Sequence, residues 1–174
     1  QLASQDPKRA GPLLQEVLGQ EAFPGRLLIL QSALRSESPL LRDAVLAHLP
    51  TAGVNDQLVI VTAIGERALP ACEEPLLALL DSAQGSLRAE LVHTLGNIGG
   101  DASFEALYQA LAANAKDQNA ANALARLKAP SVDQKMLATV EQGTNSAERI
   151  ASLNVLQLRN TAGATALLNR IIAG

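Results

Sequence analysis

A leucine that recurs at a constant interval restricts the fold of this chain more than any other feature. The interval is 31 residues, and it separates Leu18, Leu49, Leu80 and Leu111. An interval of 29 residues then relates Leu95, Leu124 and Leu153. Repeats of this length are typical of arrays in which each unit cannot bury its apolar face alone and stacks on its neighbours. The sequence therefore predicts repeated units that share a continuous core.

The apolar residues inside each repeat are separated by three and four positions, which is the spacing of one helix face. Only 2% of the residues are aromatic while 48% are hydrophobic, so Leu, Ile, Val and Ala must fill the core, and Leu and Ala favour helices. We expect an all-α chain with eleven helices, at residues 7–20, 24–36, 38–50, 55–68, 71–83, 86–98, 101–114, 117–128, 131–142, 146–159 and 162–173.

Residues at the ends of these segments match known start and stop signals of helices. Pro39 follows Ser38 in a first turn, where the missing N–H is harmless. The sequence predicts capping boxes at Ser131 with Gln134 and at Asn145 with Glu148. The run Gly99-Gly100-Asp101 predicts a helix end followed by an aspartate N-cap.

The segment SLRAELVHTLGNIGGD (86–101), with the helix that follows it, resembles a HEAT repeat of the armadillo-like group. The resemblance implies a right-handed α-α superhelix of about five helix pairs plus one extra N-terminal helix, and an ion pair between Asp81 and Arg88. It also implies one solenoid over residues 1–174, with repeats at about 1–22 (partial), 23–53, 54–85, 86–115, 116–144 and 145–174. In this family the second helix of each pair lines the concave side.

The C-terminal segment is apolar where a natural array normally ends in a polar cap. We expect this end to be covered by a partner, by further chain, or by self-association end to end, through Leu167, Leu168, Ile171 and Ile172. The chain begins at Gln1, which favours a fragment of a longer protein.

Residues with catalytic or metal-binding chemistry are few. His48 and His93 have no metal-ligand spacing, and we interpret both as partly buried and hydrogen-bonded. Cys72 lacks a neighbouring cation in sequence and is interpreted as a structural thiol. The glycine-rich stretch 96–100 is interpreted as a turn, because no strand or Walker lysine accompanies it. We therefore expect no enzymatic activity, no cofactor and no metal, in a chain without a membrane span whose compartment, cytoplasmic or periplasmic, stays open.

Basic residues in the last third of the chain raise the question of nucleic acid. They are sparse, no aromatic side chain interleaves them, and the net charge is −3, so nucleic acid is a disfavoured partner. The set is Arg126, Lys128, Lys135, Arg149, Arg159 and Arg170.

Acidic residues occupy one register position in three successive repeats, at Asp43, Glu74 and Glu105, and Gln134 continues the row. The helical period places this row opposite the core stripe, with Glu16 and Gln109 in the adjacent row. These six residues predict a concave face that binds a protein partner, for example a basic peptide or helix. An ordinary solvated face is the alternative interpretation.

Two other functions stay open. HEAT-like repeats also occur in bilin lyases, so the resemblance allows a protein that holds a tetrapyrrole in an apolar pocket. A purely structural array that spaces flanking domains or assembles end to end is the third possibility.

Overall fold

The computed structural model describes residues 7–20, 25–129 and 131–173. Within these ranges the chain forms eleven α-helices and two short 3-10 turns, Leu49–Thr51 and Pro70–Cys72, and no strand. The helices are α1 (Pro7–Leu18), α2 (Arg26–Arg35), α3 (Pro39–His48), α4 (Val54–Arg67), α5 (Glu73–Leu80), α6 (Gly85–Ile98), α7 (Asp101–Ala113), α8 (Gln118–Arg126), α9 (Ser131–Gln142), α10 (Ser146–Leu158) and α11 (Ala162–Ala173).

The predicted all-α class is confirmed, and each predicted helix has one counterpart whose ends lie within a few residues. The expected start of the second helix, at residue 24, lies outside the described residues. The described part of the chain contains no helix with both the length and the apolar character needed to cross a bilayer.

Side-chain caps explain where several helices begin. The Asn145 side chain accepts from the backbone N–H groups of Ala147 and Glu148, which confirms Asn145 as an N-cap, while the Glu148 carboxylate accepts from the Asn145 side-chain amide rather than from its backbone N–H. The prediction for Gly99-Gly100-Asp101 is wrong in one respect, since Gly100 is the N-cap of α7. Asp101 instead accepts a hydrogen bond from the hydroxyl of Ser131. The Ser131 hydroxyl is therefore a hydrogen-bond donor to Asp101, whereas the sequence predicted that it caps a helix.

The chain divides into two compact units, Gln1–Leu91 and Val92–Gly174, and the division falls inside α6. In the first unit α1 packs on α3, α2 packs on α4, and α2 also contacts α3. In the second unit α7 packs on α8, α9 on α10 and α10 on α11, while α7 also contacts α9 and α8 contacts α10. Within each unit, helices therefore pack on neighbours in sequence and, in two pairs per unit, on the helix two positions later.

Six of the seven recurring leucines lie in the core of their unit, and Leu153 is half-buried. Leu18, Leu49 and Leu80 are buried in the first unit, and Leu95, Leu111 and Leu124 are buried in the second. Phe104 is also buried, and Tyr108 is half-buried. The Tyr108 hydroxyl lies 3.1 Å from the hydroxyl of Thr139, which gives this partly buried phenol a hydrogen-bond partner.

The register of the repeat is visible as side-chain contacts between α7 and α9. Three pairs connect these helices at sequence separations of 30, 30 and 31: Asp101 with Ser131, Glu105 with Lys135, and Tyr108 with Thr139. A constant separation means that the two helices run in the same direction with their turns aligned.

Two arginine side chains donate hydrogen bonds to backbone carbonyls near the ends of helices. The Nη1 of Arg88 donates to the carbonyl of Leu80, 3.0 Å away, at the end of α5. The Nε of Arg149 donates to the carbonyl of Val140, 2.8 Å away, near the end of α9. Leu80 and Val140 are register equivalents, and a cation is favourable at a helix C-terminus. No Asp81–Arg88 ion pair forms within the described residues, so that expectation is wrong: Arg88 reaches the adjacent carbonyl instead.

Candidate interaction surface

All six residues of the predicted face are exposed, and all lie on odd-numbered helices, the second helices of their pairs. Three belong to the first unit: Glu16 on α1, Asp43 on α3 and Glu74 on α5. Three belong to the second unit: Glu105 and Gln109 on α7, and Gln134 on α9. The small residues of the adjacent row, Ala47, Ala78 and Ala138, are exposed as well.

Glu105 has an electrostatic partner that the sequence did not predict. The ammonium group of Lys135 donates to its carboxylate, and the same Nζ lies 4.5 Å from the centre of the Phe104 ring. The Phe104 and Tyr108 rings are stacked with their centroids 5.6 Å apart. Lys135 therefore neutralises Glu105, the acidic member of the row in the second unit. The sequence had assigned Lys135 to the separate basic set.

The acidic residues of the predicted face in the first unit have weaker or no cationic partners. Asp43 lies 3.4 Å from the guanidinium of its neighbour Arg42, and both side chains are largely solvated. Glu16 and Glu74 have no ion pair among the described residues. The acidic residues of the predicted face that lack an ion pair among the described residues therefore lie on α1 and α5.

Three further members of the basic set are engaged in the second unit. Arg126 donates to Asn97 and to His93, Arg149 bonds Val140, and Arg159 bonds Asp133. Lys128 is exposed, and the side chain of Arg170 lies outside the described residues. These cations bond the protein itself rather than forming a free basic stripe.

Arg159 joins the ends of three helices, a role that no sequence signal indicated. Its Nε lies 2.6 Å from the Asp133 carboxylate, and its Nη1 donates to the carbonyls of Leu124, Ala125 and Leu127. The hydrogen bond from Arg159 lowers the pKa of the Asp133 carboxyl below its usual value, and a bond from the Thr161 hydroxyl adds to this against the opposing effect of burial.

A second unpredicted cluster lies in the first unit, where α2, α3 and α4 meet. The Nε of Arg26 lies 2.6 Å from Oδ2 of Asp56, and both side chains are nearly buried. Neither of these two atoms has an aligned hydrogen-bond partner, so charge holds the pair together. The Nε2 of His48 lies 3.3 Å from Arg26 and 3.7 Å from Asp56. His48 is thus partly buried and hydrogen-bonded, as predicted.

Two other reactive side chains, Cys72 and His93, can be compared with their sequence predictions. Cys72 is fully buried, as expected for a structural thiol. Burial raises the pKa of the Cys72 thiol, while the nearby Arg42 and Asp43 charges act in opposite directions. His93 is hydrogen-bonded as predicted, to Asn97 and Arg126, but it is exposed rather than partly buried.

Two shallow grooves lie on the surface of the described part of the chain. A groove of about 170 Å³ is lined by Gln31, Leu58, Val59, Thr62, Ala63 and Glu66. A second, of about 190 Å³, is lined by Val140, Ser146, Arg149, Ile150 and Leu153. Pockets for drug-sized ligands are typically about 300–1,000 Å³. No group of three His, Cys, Asp or Glu side chains among the described residues is arranged to hold a metal ion.

The predicted C-terminal surface is described only in part. Leu167 is buried, so it belongs to the core rather than to an exposed end. The side chains of Leu168, Ile171 and Ile172 lie outside the described residues.

The fold and surface together define an all-α protein whose helices pack as neighbours and next neighbours. Comparison with protein-family models, with curated proteins and with solved structures finds no match for the chain. Its function is therefore argued from its own residues.

Proposed function

We propose that this protein is a non-catalytic interaction module that binds a protein partner on the face formed by its second helices. The observation that carries the proposal is the exposure of all six register-related residues on that face. A row that repeats through the register and stays accessible in every repeat offers an extended partner equivalent contacts at successive positions.

The proposal includes the arrangement of the pairs. Packing of α1 on α3, α2 on α4, α7 on α9 and α8 on α10 supports an open α-α superhelix of the HEAT type, with the odd-numbered helices on its concave side. The exposed alanines next to the acidic row would let a partner backbone approach closely.

The charges define the chemistry of the partner. Glu16 and Glu74 have no compensating ion pair within the described residues, and Asp43 is only loosely paired. A lysine- and arginine-rich peptide or helix would gain complementary contacts there, and its association would weaken as salt screens them. Glu105 would contribute only if a partner cation displaced Lys135.

A charge-reversal experiment tests the proposal. The probes are fluorescent lysine-rich helical peptides and glutamate-rich counterparts, titrated by anisotropy at low and high salt. We expect the wild-type chain to bind the cationic peptide only, and Asp43→Lys with Glu74→Lys to weaken binding at least tenfold at low salt. Glu105→Gln should have a smaller effect.

A matched control carries the same change of charge elsewhere. Glu37→Lys with Glu66→Lys reverses two exposed acids, one before α3 and one on α4, outside the predicted rows. This control should bind like the wild type. Equal losses in both double variants would show that only net charge matters, and unchanged binding by Asp43→Lys with Glu74→Lys would make the row a solvated face.

The tetrapyrrole alternative gains no specific support. Both described grooves are below the usual volume of a ligand pocket, and they lie on the open surface.

A further inference from the structure

The ammonium group of Lys135 is held by two chemically different groups of α7. It donates to the Glu105 carboxylate, and it lies 4.5 Å from the centre of the Phe104 ring. A carboxylate beside an aromatic face attracts a compact cation, because the negative charge and the ring quadrupole act in the same direction. No other cation forms an ion pair with Glu105 in the described part of the chain. These two groups therefore hold a single ammonium group.

The walls of this site are held in place by contacts that do not involve the Lys135 ammonium group. The Tyr108 ring stacks on Phe104 with the centroids 5.6 Å apart, and the Tyr108 hydroxyl lies 3.1 Å from that of Thr139 on α9. Phe104 is 1% exposed, so it belongs to the core that α7 shares with its neighbours. If the lysine side chain is shortened, the carboxylate and the aromatic wall should therefore stay in place.

Solvent reaches both members of the ion pair. The Lys135 and Glu105 side chains are 45% and 56% exposed. Ion pairs with this much exposure are weak, because water and salt screen the charges. A second ammonium group can therefore reach the Glu105 carboxylate and take the place of Lys135 at little cost.

We propose that Phe104, Glu105 and Tyr108 form a binding site for a primary alkylammonium group, such as a lysine side chain of a partner, and that Lys135 blocks this site from within the chain. The ligand class follows from the present occupant, which is itself a lysine side chain. Lys135 is thus an autoinhibitory contact that a partner's lysine must displace. The protein nature of the partner rests on the proposed function, whereas the ammonium site itself does not.

Chemical rescue tests the site without a partner protein. Lys135→Ala removes the methylene groups beyond Cβ and the ammonium group, and n-propylammonium supplies the same atoms. The variant should keep its helical content by circular dichroism, because alanine favours helix. We expect n-propylammonium chloride to shift the Tyr108 NMR signals of Lys135→Ala saturably, with a dissociation constant of about 1–50 mM. The wild-type chain should bind it at least about fivefold more weakly at equal ionic strength, since the tethered Lys135 competes.

Two controls identify the groups that bind the amine. Addition of Glu105→Gln to Lys135→Ala should abolish the saturable shift, because an amide offers no negative charge to the ammonium group. The uncharged analogue 1-propanol should cause no saturable shift in Lys135→Ala. A folded Lys135→Ala chain that does not bind n-propylammonium would overturn the proposal. So would equal binding of the amine after Glu105→Gln is added.

The lysine-rich helical peptide tests whether Lys135 blocks a partner. Lys135→Ala should bind this peptide at least about threefold more tightly than Lys128→Ala, and addition of Glu105→Gln should remove the gain. Lys128→Ala removes the same charge from an exposed lysine that has no ion pair among the described residues. Equal affinities of the two lysine variants would contradict the blocking role. A chain that binds n-propylammonium after Lys135→Ala but binds no cationic peptide in any form would refute the proposed function and support the ammonium site.

Discussion

Lys135 on α9 donates a hydrogen bond to the carboxylate of Glu105 on α7, thirty positions earlier in the chain. The two residues lie on α7 and α9, and Lys135 is the residue after Gln134, the register equivalent of Glu105. An acidic position and a basic position that are far apart in sequence therefore form one neutral pair on the surface of the second unit. Four predictions follow from this and related contacts.

The Glu105–Lys135 pair should stabilise the fold only modestly, because both side chains are about half exposed. Lys135→Glu would place two carboxylates together and lower the free energy of unfolding by roughly 0.5–1 kcal/mol in urea titrations. The swap of Glu105→Lys with Lys135→Glu should restore only part of this loss, since the Phe104 ring favours a cation at position 135. Purely additive effects of the two single changes would show that the residues do not interact.

Gly96 lies at a close approach of α6 to Ala123 of α8. A Cβ atom there would lie 2.7 Å from the Cα of Ala123 and 2.9 Å from its carbonyl oxygen, so backbone must move to admit it. We expect Gly96→Ala to lower the free energy of unfolding by about 1–3 kcal/mol, measured in urea.

Gly163 provides the matched control for this change. A Cβ atom at this position of α11 meets the Leu137 side chain at 3.6 Å, an ordinary contact. Gly163→Ala should therefore be neutral or stabilise by up to about 1 kcal/mol through helix propensity. Equal effects of the two substitutions would contradict the close approach at Gly96.

Replacing only one member of the Arg26–Asp56 pair should lower the free energy of unfolding substantially. Both side chains are less than one-fifth exposed, so Asp56→Leu leaves a nearly buried guanidinium without its counter-charge. We expect a loss of about 3 kcal/mol in the free energy of unfolding for Asp56→Leu, and a clear recovery when Arg26→Met is added. The free energy of unfolding of the double variant should also depend less on salt concentration. If the double variant is no more stable than Asp56→Leu alone, the broken ion pair does not explain the lower stability of Asp56→Leu.

Asp133 should make stability depend on acid pH. Its pKa is lowered in the folded protein, so the stabilisation is complete above the unfolded value, near 3.8, and disappears as pH falls through the lower folded value. The difference in free energy of unfolding between wild type and Asp133→Asn should therefore be largest near neutral pH and shrink below about pH 4. Urea titrations at pH 7 and at about pH 2.5 measure it.

Two variants complete this test. Arg159→Leu should move the pKa of Asp133 back toward its usual value in an NMR titration, because the first cause of the lowered pKa is removed. Asp81→Asn, at an exposed carboxylate, should change stability by less than about 0.5 kcal/mol. If the difference in free energy of unfolding between wild type and Asp133→Asn is the same at both pH values, the Asp133–Arg159 ion pair does not stabilise the fold as expected.

Local patterns in the sequence predicted the helices well, because spacing and caps act within a few residues. The three- and four-residue spacing located eleven helices, and Asn145 with Glu148 was correctly predicted as a start. The constant interval correctly identified Leu18, Leu49, Leu80 and Leu111 as buried. The helical period also predicted correctly that Glu16, Asp43, Glu74 and Glu105 face solvent.

Partners of charged groups were decided by the tertiary structure. Nothing near Arg88 in sequence says that it bonds the Leu80 carbonyl rather than Asp81, and nothing near Lys135 says that it lies beside Glu105. A side chain several ångströms long selects among acceptors that packing brings within reach, and small shifts between helices change the choice. The sequence by itself determined the helices and most of the buried leucines, because these follow from helix period and register. Only the tertiary structure decided which side chains meet, because this depends on how the helices pack.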